Sequence, residues 1–167
     1  MKTKTIKVYE FEELKPKIQE KVLNKFRNDN EYIFLYDYLK DFLKDRLKEK
    51  KIKEVGTTTL YYSLSYSQGD GCCFIGMFEY KNYIINIKHN YRYYHSKSVD
   101  IEIFNQKQEE ANEKIYKEFK ELYEDICYEV EKTGYNYMEM EDSEENIKEN
   151  IKANEYTFRE NGEIEII

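Results

Sequence analysis

Tyr61-Tyr-Ser-Leu-Ser-Tyr-Ser-Gln-Gly-Asp-Gly-Cys-Cys-Phe-Ile-Gly76 reads as a strand that enters a Gly-Asp-Gly turn and leaves as a second strand. Side chains alternate along a strand, so Tyr61, Ser63, Ser65 and Ser67 fall on one face and Leu60, Tyr62, Leu64 and Tyr66 on the other. The polar row ends at Gln68-Gly-Asp-Gly71, where two glycines permit positive φ and a close backbone approach. An antiparallel pair in the middle of the chain sets the fold class, because the neighbouring segments then read as further strands or as helices that cover them.

Working outward, residues 52–67, 72–80, 83–90 and 98–105 form a run of strands with short connections, which favours an antiparallel meander over βαβ units. Lys81-Asn82 has the composition of a tight hairpin turn, and residues 91–97 a longer polar connection. Downstream, Ala111, Ile115, Phe119, Leu122, Ile126 and Val130 make one helical stripe within residues 106–132, with Thr133-Gly134 as its expected stop. Asp142 and Glu145 resemble a capping box that opens a short helix with Ile147 and Ile151 inward. Asn161-Gly162 is a hairpin signal between two terminal strands. Upstream, residues 3–9 alternate as a short strand. Pro16 opens a helix over residues 16–27, and a second helix covers 31–51 with Leu35, Leu39, Phe42 and Leu43 inward. The expected architecture is α+β: an antiparallel sheet, a meander of about four strands plus short terminal strands, packed against two to four helices. Residues 1–167 are expected to form a single domain.

Composition narrows the function. Aromatics make up 16% of the chain, with 18 Tyr and no Trp, a density that needs a core or a binding surface. A net charge of −7 argues against nonspecific nucleic-acid binding, which needs a basic face. No apolar run approaches membrane-spanning length, and the first residues lack a signal-peptide pattern, so a cytoplasmic location is expected. Three cysteines, Cys72 and Cys73 adjacent, make neither a disulfide framework nor a zinc spacing; no metal and no cofactor are expected.

The candidate chemistry lies in two segments. In Ser67-Gln68-Gly69-Asp70-Gly71, backbone N–H groups with the Ser67 and Gln68 side chains can hold a phosphate or carboxylate, and Asp70 a sugar hydroxyl, a base edge or a metal. The plainer reading is a good turn in which Asp70 closes an Asx-type bond. In Arg92-Tyr-Tyr94-His95-Ser96, an arginine, a histidine and a serine place three anion-seeking groups on one short connection, and Tyr94 can stack on a ring. A nucleophilic Cys72 or Cys73 needs a nearby base, which only His89 or His95 supplies; buried inert thiols are the simpler reading. The acidic run Glu139, Glu141, Asp142, Glu144 and Glu145 reads either as helix capping and surface or as a face that engages a protein.

Several pieces together, Tyr66-Ser-Gln-Gly-Asp-Gly71 with Phe74 and Gly76, Arg92-Tyr-Tyr-His-Ser96, Tyr135-Asn-Tyr137 and Asn154-Glu-Tyr-Thr-Phe-Arg-Glu-Asn-Gly162, resemble a family of small uncharacterised bacteriophage and prophage proteins. The resemblance covers most of the chain and transfers no active site. Members often carry a small residue where this chain has Cys72 and Cys73, which speaks against a catalytic cysteine. It implies a phage-type accessory, or counter-defence, protein acting in the host cytoplasm. The expected activity is capture of a small anionic ligand, such as a signalling nucleotide, without catalysis. The alternatives are an inhibitor that binds a host defence protein through an acidic surface and a small hydrolase using His95, with homo-oligomerisation left open.

Overall fold

The computed structural model describes residues 6–90 and 93–165, and the chain divides into two compact units. One contains the described residues up to 33 and those from 137 onward; the other contains residues 34–136. The secondary structure is α+β, with four α-helices and an antiparallel sheet of five strands among the described residues. None of the described helices is long and apolar enough to cross a membrane.

The larger unit holds the sheet. Its strands are β1 (Ile52–Glu54), β2 (Thr59–Ser63), β3 (Gly71–Tyr80), β4 (Tyr83–His89) and β5 (Val99–Asn105). The meander β3-β4-β5 follows the sequence reading, with Tyr80 opposite Tyr83 across a two-residue turn whose left-handed φ of 54° falls on Lys81. The single strand expected over residues 52–67 is instead broken. β1 pairs with the far half of β3 (Ile52↔Tyr80) and β2 with its near half (Thr59↔Ile75). At the break stands Gly76 (φ 146°), where an added Cβ would lie 3.0 Å from the Thr57 carbonyl oxygen. Glycine lets the backbone of the connection between β1 and β2 pass there.

Two helical segments pack within this unit. Helix α1 (Pro16–Asn28) belongs to the other unit. Helix α2 (Leu35–Glu49), shorter at its start than the sequence suggests, buries Leu35, Leu39, Leu43 and Leu47, one residue per turn. Helix α3 (Glu113–Glu141) begins later than expected and runs straight through Thr133-Gly134, its residues up to 136 lying in this unit. The expected stop fails because Gly134 serves packing: a Cβ there would lie 2.4 Å from Leu64 Cδ1, and Leu39 is 3.4 Å away. Leu64 therefore occupies the space a side chain would need, and the helical backbone continues beneath it.

The α3 face toward the sheet buries Phe119, Tyr123, Ile126, Cys127 and Val130 completely or nearly so. The β3–β4 ladder begins at Gly76↔Ile87, so among the described residues the first part of β3 has β2 alone as a strand partner. Into that gap α3 inserts Tyr123, whose hydroxyl donates to the Phe74 carbonyl (3.0 Å) and accepts from the Phe74 N–H (3.2 Å). One side-chain oxygen thus replaces a missing strand for two buried backbone groups. Tyr123→Phe is expected to lower unfolding stability by about 2 kcal/mol in urea titrations, because both groups lose their partner while the packing volume is kept.

The smaller unit is built from α1, the turn at Phe11–Glu13, helix α4 (Glu144–Ala153) and the hairpin β6 (Thr157–Phe158) and β7 (Ile164–Glu165). Its core joins Phe11, Leu14, Val22, Leu23, Ile147, Ile151 and Phe158. Gly162 (φ 84°) closes the expected hairpin and packs on Ile18 and Val22. The strand expected over residues 3–9 is reduced, within the described part, to a bridge between Tyr9 and Phe158; Thr3 and Thr5 lie outside the described residues. At the start of α4 the cap is Ser143, which accepts from Asn146 N–H at 3.2 Å, and Asp142 has other work. Its carboxylate accepts from Asn30 Nδ2 (3.1 Å) and the Tyr32 hydroxyl (2.5 Å).

Candidate functional site

Strand β2 ends at Ser63, and residues 64–70 leave the sheet as a loop folded around Asp70. Six donors reach this one carboxylate. Oδ1 accepts from the hydroxyls of Ser63 (3.2 Å), Ser65 (2.8 Å) and Ser67 (2.9 Å). Oδ2 accepts from the backbone N–H groups of Ser65 (2.6 Å) and Ser67 (2.9 Å) and from the hydroxyl of Tyr135 on α3 (2.5 Å). The serines of the polar row do converge, and they converge on a residue of their own chain. Desolvation pushes the Asp70 carboxyl upward, but the Tyr135, Ser67 and Ser65 donors outweigh it and hold the group well below the usual carboxylate range. Burial and the Asp70 contact push the Tyr135 phenol up to about 12, so it remains a donor.

The two predicted segments lie together. A Cβ on Gly71 (φ 154°) would fall 2.5 Å from His95 Cβ and 3.0 Å from its Cα, and one on Gly69 would sit 4.0 Å from the Tyr93 ring. Glycine at 71 is what lets the loop and the connection after β4 touch backbone to backbone. Around this contact the rings are layered. Tyr93 stacks on His95 (5.7 Å between centroids, 13°), Tyr61 on Tyr94 (5.4 Å, 17°) and Tyr61 on His89 (5.1 Å, 17°). Tyr66, with a left-handed φ of 57°, packs on Tyr135 at 4.6 Å while remaining 68% exposed. Tyr93 and Tyr94 are also exposed, Gln68 points no bond inward among the described residues, and Ser96 is half-buried. Arg92 lies outside the described residues.

His95 Nδ1 accepts from the Lys97 N–H at 3.3 Å, so the neutral ring carries its proton on Nε2. Glu131, one turn before Tyr135 on α3, is half-buried; desolvation first and the Asp70 charge second raise its carboxyl pKa, with His95 opposing. The thiols offer little nucleophile. Cys72 and Cys73 are buried, burial pushing Cys73 up to about 11 and Cys72 higher still. Among the described residues no three His, Cys, Asp or Glu side chains converge as a metal site.

The Ser67 N–H and hydroxyl are spent on Asp70, whose two oxygens are filled by these and four further donors. Tyr135 and Glu131 escaped the sequence reading, because a helix ending at Gly134 removes the first from the helix and leaves the second without a reason to face the loop. Its place in Tyr135-Asn-Tyr137, an aromatic pair after the helical stripe, is the sequence signal that could have found the first. No family model matches the chain, and no curated protein or solved structure matches it either.

Proposed function

We propose that this chain is a binding protein, a phage-type accessory factor that captures a small planar anionic ligand, a nucleotide, in the host cytoplasm without turning it over. The observation that carries this reading is the layered ring surface, with Tyr93, Tyr94 and His95 held against a loop that Asp70 has already fixed. Rigid aromatic side chains on a pre-ordered loop lose little entropy when a ring stacks on them. Tyr93 and Tyr94 supply the stacking faces and Gln68 a hydrogen-bonding end. His95 Nε2–H and Lys97 face the charge. Asp70 and the serines hold the loop in shape. Turnover is disfavoured, since the thiols are buried and the Asp70 oxygens are occupied.

The test is a thermal-shift and native-mass screen of the whole chain against linear and cyclic nucleotides at low salt. A bound nucleotide at a hundredfold excess over its dissociation constant should add about 2.7 kcal/mol of apparent stability. Tyr93→Ala and His95→Ala should each remove that shift, and the recovered ligand should be unchanged. Recovered product would replace capture by catalysis, and no shift with any nucleotide would overturn the reading.

A further inference from the structure

The smaller unit has a cleft of its own, of about 380 Å³, between the end of α1, residues 29–33, α4 and β7. Phe26, Ile147 and Ile164 make its floor, and Ile33, 72% exposed, stands at its lip. Three carboxylates, Asp29, Glu31 and Glu141, face one ammonium, Lys25, and none of the four forms an ion pair among the described residues. The wall does not depend on a ligand for its shape. Asn30 and Tyr32 bond the Asp142 carboxylate, and Arg27 Nε donates to the Asp142 carbonyl at 3.0 Å. Asp142 is thus spent internally and Glu141 accepts from Asn146 Nδ2 at 3.4 Å, whereas Lys25, Asp29 and Glu31 are exposed at the cleft.

We propose that this cleft is a second site, which takes an apolar side chain flanked by basic residues, presented on a segment of a partner protein. The size suits one large side chain with its adjoining backbone, and an apolar floor inside an acidic rim selects an apolar anchor between cations. The same rim repels nucleotides and acidic peptides, so this site is separate from the ring surface. A wall already tied to Asp142 gives the partner a formed pocket, and the exposed Ile33 adds apolar contact at its mouth.

The test titrates the whole isotope-labelled protein at low salt with acetyl-Lys-Leu-Lys-amide, acetyl-Glu-Leu-Glu-amide and acetyl-Lys-Ser-Lys-amide, following backbone amide signals. The lysine–leucine peptide should move signals within residues 25–33 and 141–150, bind about tenfold more tightly than either control, and weaken with salt. Glu31→Lys with Glu141→Lys should reverse the preference toward the glutamate peptide while leaving nucleotide shifts intact. No movement up to about 5 mM peptide, a millimolar limit that still detects weak sites, would overturn the proposal. So would equal responses to all three peptides, movement confined to other residues, or a folded double variant with unchanged preference. A failure of the nucleotide screen leaves this outcome untouched, since the two experiments read different residues.

Discussion

Replacing Asp70 with alanine is expected to lower unfolding stability by about 3 kcal/mol, read as a reduced denaturation midpoint with the sheet signal in circular dichroism retained. Six donors lose one acceptor together, including two backbone N–H groups and the Tyr135 hydroxyl. A buried carboxylate would cost more; here the loop is partly exposed and water recovers part of the loss. The pH dependence has a definite sign. The folded carboxyl is held below its ordinary value, so above the unfolded pKa of about 4 the contribution is fully present. As pH falls below that value the unfolded chain takes up the proton first, and the contribution is lost. Asp70→Ala should therefore remove stability at pH 7 and much less at strongly acidic pH. An equal deficit at both would show that the carboxylate charge is not what the six donors recognise.

Gly71→Ala is expected to cost a similar amount, about 3 kcal/mol, by a different route. The added methyl meets His95 Cβ at 2.5 Å and two backbone atoms, His95 Cα at 3.0 Å and the Tyr94 oxygen at 3.2 Å, and no rotamer change relieves a backbone contact. The φ of 154° adds strain for any L side chain. Relief comes only by moving the loop away from residues 93–96, which pulls the ring surface apart. Nucleotide binding, measured by calorimetry on the folded variant, should fall further than stability does. Gly69→Ala is the control, because its nearest neighbour is the Tyr93 ring at 4.0 Å.

The hairpins were legible because their signals are local: alternating side chains, a two-residue turn at Lys81-Asn82, and Asn161-Gly162 all act within a few residues. The end of α3 was not. A glycine after a helical stripe looks the same whether it terminates the helix or makes room for Leu64, which lies 70 positions earlier, and only tertiary packing decides between them. The broken first strand was hidden for a similar reason, since residues 52–63 alternate well enough and the break is imposed by the connection that crosses Gly76. At the site, the serines, the glycines and Asp70 were visible as a set. The same N–H and hydroxyl donors serve an external anion or an internal carboxylate equally well, so composition could not tell a receptor from a lock.

Five of the six Asp70 donors come from within seven residues of it, and the sixth, Tyr135, from 65 residues away. The loop can therefore close on its own as soon as residues 63–70 exist, at little loop-closure cost, before α3 has been made or docked. When the helix arrives it meets an acceptor already in place and adds the last donor. The ordering entropy of this loop is thus met during folding, by contacts nearby in the chain.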